Sequence, residues 1–150
     1  MFISIVILSV STGLFLYWFR YSCLLILSTR TTKDYAAQVA KANQLGFQRI
    51  QEHLQMDAGQ ESLGALRETL ERDYRLLTGL LSHAADAQVA GVSLEQRMLM
   101  VDYRLMQGWY KVANQFSQAG YARRALAEMA DIVAHFANEM GERSAVAVRS

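Results

Sequence analysis

The chain has 150 residues, 52% of them apolar and 19% charged, with no proline and one cysteine. That length, that apolar share and a lone thiol exclude collagen-like, fully disordered and disulfide-scaffold classes. Of the 15 cations only Arg20 precedes residue 30, so residues 30–150 balance 14 cations against 14 anions, which argues against nucleic acid as a partner because phosphate binding needs a basic surface.

Residues 1–19, MFISIVILSVSTGLFLYWF, carry no charged side chain; Arg20 follows, and YSCLLILS is apolar again. A bilayer core about 30 Å thick takes about 20 apolar residues as a helix, so residues 1–29 read as a transmembrane anchor. A cleaved signal peptide would want a basic start, and no Lys or Arg precedes Arg20. Tyr17, Trp18, Arg20 and Tyr21 suit the membrane interface. Arg20 either snorkels to the headgroups or faces a partner's carboxylate. Ser9 and Gly13 form a small-xxx-small pair that allows close helix approach. Arg20, Arg30, Lys33, Lys41 and Arg49 follow the span, so the positive-inside rule places the C-terminal part in the cytoplasm. Proline-free, Ala- and Arg-rich usage points to a bacterial inner membrane.

Helical spacing dominates after residue 30. The first soluble helix is expected from Thr31 or Thr32 to about Met56, with Tyr35, Val39, Ala42, Gly46, Ile50 and Leu54 on one face and a stop at Asp57-Ala58-Gly59. The second is expected from about Glu61 to Val89, with Leu63, Leu66, Leu70, Tyr74, Leu77, Leu81 and Ala84 inward and Ala90-Gly91 closing it. Ser93-Leu94-Glu95-Gln96 is a capping box that starts the third. Leu94, Met98, Val101, Leu105, Trp109, Val112 and Phe116 are its apolar face, expected in the core, and Gly120 is expected to cap its end. The fourth carries Ala122, Leu126, Met129, Val133, Phe136 and Met140 on one face, with Gly141 as its cap. The fold class is therefore all-α: one N-terminal transmembrane helix, then a small antiparallel bundle of about four helices over 30–142, then a flexible tail over 143–150.

Trp109, Val112, Ala113, Phe116, Gly120 and Ala125, with Leu126 and Met129 beyond, resemble a single tetratricopeptide repeat. The resemblance covers about a quarter of the chain, and no second copy stands 34 residues upstream, where Arg75, Thr78 and Ser82 fall. It implies an antiparallel helix pair with small-into-large packing, of a kind that serves protein binding, and it makes Trp109 and Phe116 candidate partner-binding residues.

No pattern names a reaction. Glu-x-x-His and His-Glu-x-x-His are missing around His53, His83 and His135, and glycines do not cluster into a phosphate loop. Asp131, His135 and Glu139 recur every four residues and are candidate metal ligands, although a hydrated polar face is the simpler explanation of them. No cofactor is expected. The expected function is non-enzymatic: an accessory, scaffold or assembly subunit of a larger membrane complex, whose partners are the lipid bilayer and other subunits or a second copy. The alternatives are a tethered adaptor that recruits a soluble partner through the hairpin at 106–139, and an anchored metal-binding enzyme.

Overall fold

The computed structural model describes residues 1–29, 34–56, 63–88 and 91–149. Six helices and no strand occur among these residues, and the chain divides into two compact units, Met1–Arg30 and Thr31–Ser150.

The first unit is α1 (Phe2–Ser28), whose 27 residues span about 40 Å at helical rise, more than a bilayer's hydrocarbon core. It is the one described helix long and apolar enough to cross a membrane. Within it, Ser9 Oγ donates to the Ile5 carbonyl and Thr12 Oγ1 to that of Leu8, both at 2.8 Å. Such i−4 bonds let polar side chains stay on an apolar helix.

The second unit contains α2 (Ala36–Asn43), α3 (Phe47–Met56), α4 (Leu63–Gln88), α5 (Leu94–Gln115) and α6 (Ala119–Arg149). The single helix expected up to Met56 is thus two. Gln44 takes a left-handed conformation, φ 54°, and the Leu45 amide donates to the Ala40 carbonyl, which ends α2. A new helix then starts because Asp73, on α4, caps it: its Oδ2 accepts from the Gly46 and Phe47 amides at 2.6 and 2.9 Å. Gly46 lies so close to α4 that a Cβ there would stand 2.7 Å from Thr69 Cγ2. The start of α2 is held by Asp34, which accepts from the Ala36 amide, and by Asn138, which accepts from the Tyr35 amide. The expected caps at Thr31 and Thr32, the stop at 57–59 and Val89-Ala90 lie outside the described residues.

The body is built on α6, which packs against α2, α3, α4 and α5. Ala122, Ala125, Ala130, Ala137 and Gly141 are buried and let neighbours approach, while Leu126, Met129, Ile132, Val133 and Phe136 fill the core. Leu70, Leu77 and Leu81 of α4 meet them. Between α4 and α5, Tyr74 and Tyr103 stack with ring centroids 3.8 Å apart.

Two expected glycine caps are corrected. Gly120 lies inside α6; α5 ends instead at Ser117, φ 56°, with the Gln118 amide donating to the Ala113 carbonyl at 2.9 Å. Gly141 is a mid-helix packing site, because a Cβ there would collide with the Tyr35 side chain. Accordingly α6 continues to Arg149, through the segment read as a tail.

Candidate interaction surface

The capping box sets how α5 is turned. Ser93 Oγ accepts from the Gln96 amide at 3.2 Å, and Gln96 Oε1 accepts from the Ser93 amide at 3.1 Å. Gln96 is itself buried, and its Nε2 donates to Glu139 Oε1 of α6 at 2.6 Å. With Gln96 inward, helical spacing carries Leu99, Asp102, Tyr103, Tyr110 and Ala113 inward as well, and all are buried.

The face expected in the core therefore points outward. Leu94 is 74% exposed, Trp109 51% and Phe116 70%; Val101, Leu105 and Val112 are exposed too, and Met98 is half-buried. The expectation that Trp109 and Phe116 lie in the core is corrected: α6 receives the other side of α5. The hairpin implied by the resemblance is present, since Gln96 near the start of α5 reaches Glu139 far along α6. Its small buried residues are Ala113, Ala122 and Ala125.

One flank of the outward face is cationic. Arg97, Arg104 and Lys111 step by seven residues and are all exposed. From Arg97 to Phe116 the single carboxylate of α5 is Asp102, which is buried.

The other candidates are placed as follows. Asp131 Oδ1 accepts from Gln51 Nε2 of α3 at 2.9 Å, and Glu139 Oε1 accepts from Gln96 and from Arg143 Nη2 at 3.2 Å. His135 lies edge-on to Phe136. Among the described residues no three His, Cys, Asp or Glu side chains converge as a metal site. Desolvation raises the Asp131 carboxyl above its ordinary range; Gln51 opposes the shift and Glu128 adds to it. Tyr103 is held well above the usual tyrosine range, chiefly by burial and then by Glu71. On α1, Tyr17, Trp18 and Tyr21 are exposed, Tyr17 and Tyr21 stack at 6.5 Å, and Arg20 is half-buried. Cys23 is buried.

Reading by hydropathy alone missed the outward stripe, because it is more apolar than the side that packs. Two signals in the chain point the right way. The capping-box Gln96 is committed to a backbone bond, and cations stand every seven residues beside the stripe, where a core would exclude them.

No protein-family model, no curated protein and no solved structure matches the chain.

Proposed function

We propose that this chain is a non-enzymatic, single-pass membrane protein that serves as an accessory or scaffold subunit of a larger membrane assembly. In this reading α1 spans the bilayer, the helical body lies on the cytoplasmic side of a bacterial inner membrane, and the chain works by contact. The observation that carries it is the uncovered apolar stripe of α5. Soluble monomers rarely leave so long a row of large apolar side chains open, and such rows mark interaction sites. The basic residues that follow the span support the sidedness.

The exposure of Trp109 and Phe116 also favours a second reading, a tethered adaptor that recruits a soluble partner through the hairpin at 106–139. Aromatic side chains of this kind dominate interface energetics. A photo-crosslinking side chain at Leu105 of the full chain, activated in intact membranes, separates the two. The subunit reading expects adducts within the membrane fraction, and the adaptor reading expects adducts to a soluble protein. A crosslinker at exposed Glu142 is the control. Equal yields at Leu105 and Glu142 would remove the stripe as a contact surface.

A further inference from the structure

The outward residues of α5 repeat every 11 positions. Leu94, Leu105 and Phe116 form one row, Met98 and Trp109 a second, and Val101 and Val112 a third. Eleven residues in three turns is about 3.67 per turn, close to the 3.6 of the helix itself, so the stripe stays on one side of a straight rod. The row is therefore continuous along one side of α5 over its whole length.

The open parts of these seven side chains come to on the order of 500 Å², large for a monomer's apolar patch. Over its 22 residues α5 is about 33 Å long and carries Trp, Phe and Leu on one strip with Arg97, Arg104 and Lys111 along its edge. Apolar and aromatic side chains bordered by cations are what an interfacial helix presents to acidic headgroups. The one exposed carboxylate of α5, Glu95, stands at its first turn, and Asp102 is buried. The bilayer itself is near by connectivity: only residues 29–35 separate α1 from α2, a tether of at most about 25 Å.

We propose that α5 is a second membrane contact: it lies along the anionic surface of the bilayer that holds α1. The stripe from Leu94 to Phe116 sinks to the boundary of headgroups and acyl chains, and Arg97, Arg104 and Lys111 take the acidic headgroups. The proposal rests on the reading of this stripe as a contact surface and names its occupant.

The test uses the full chain with Trp18→Phe, which leaves Trp109 as the sole tryptophan. The protein is reconstituted in phosphatidylcholine vesicles, with or without roughly one-third phosphatidylglycerol, containing phosphatidylcholine spin-labelled near the headgroup. In anionic vesicles Trp109 emission shifts to the blue and loses about half its intensity to the quencher. Neutral vesicles, high salt, or the combined Arg97→Glu, Arg104→Glu and Lys111→Glu changes return it to solvent-like emission. Those three side chains are exposed, so unchanged circular dichroism verifies that the variant folds. Solvent-like, unquenched Trp109 in anionic vesicles overturns the proposal, and so does equal quenching in neutral ones. If Trp109 stays unquenched while Leu105 crosslinks to a protein, the contact surface stands and lipid is not its occupant. If neither signal is seen, both readings fall.

Discussion

Asp73 belongs to α4 by sequence, yet its carboxylate serves α3. Its side chain is fully buried, and its Oδ2 accepts both the Gly46 and Phe47 amides. Alanine there would leave two backbone donors without an acceptor at a helix start. Losing a cap costs about 0.5–2 kcal/mol, and burying an unpaired donor about 1–3 kcal/mol. Asp73→Ala is therefore expected to destabilise the body by roughly 2–3 kcal/mol in a denaturant melt, and Asp73→Asn, which keeps an oxygen acceptor, by less. Equal losses for both would mean that the cap contributes nothing. Tyr103 is the opposite case. It is 2% exposed, and its hydroxyl has no hydrogen-bond partner among the described residues, while its ring stacks on Tyr74. Tyr103→Phe removes an unsatisfied polar atom and keeps the stack, so the melt should stay level or rise by up to about 1 kcal/mol. A loss above that range would reveal a bond to the hydroxyl. Neither role was legible in the sequence. Asp73 acts across 26 positions, and Tyr103 reads there as one of several aromatics on an amphipathic helix.

At the scale of elements, what could be read depended on how local the cause was. The start of α5 was legible because Ser93 and Gln96 stand three residues apart and satisfy each other. The core stripe of α4 was legible because Leu70, Leu77 and Leu81 recur at helical spacing and one face alone is apolar. The break between α2 and α3 was hidden, because no proline marks it and its cap comes from another helix. The orientation of α5 was missed because its outward side is the more apolar one, and the two signals against that reading, the committed Gln96 and the cations beside the stripe, are not hydropathy signals. Gly141 follows the same logic: its value is contact with α2, which no helix rule shows. Adding a methyl group there drives it into Tyr35, and overpacking of this kind costs about 1–3 kcal/mol. Gly79, in the interior of α4, has nothing within 4 Å of where a Cβ would sit. Gly79→Ala should stabilise by about 0.5–1 kcal/mol through helix propensity. Opposite signs for Gly141→Ala and Gly79→Ala are the expected pair, and a stabilising Gly141→Ala would mean that α2 does not pack there.

For the whole molecule, α1 and the helical body raise separate questions of solubility and attachment. The body draws its core from α2 to α6, from Ala36 to Gly141, which is enough chain to fold without metal or disulfide. Deleting residues 1–29 should therefore leave a soluble, strongly helical protein with a cooperative melt. An insoluble or unfolded product would mean that α1 supplies part of that core. The truncated body also isolates α5 from α1. In the proposed topology α1 would keep the bilayer at high effective concentration, so even a modest attraction between α5 and lipid would be satisfied. Without α1 the same helix must find the surface from solution, with one apolar stripe and three cations to hold it. Binding of the truncated body to phosphatidylglycerol vesicles should accordingly be weak and reversible, and added salt should abolish it, because exposed charges are screened over about 10 Å at 0.1 M. The full chain should stay in the membrane through the same wash. Tight, salt-resistant binding by the truncated body would instead indicate that α5 inserts deeply on its own, as an anchor in its own right.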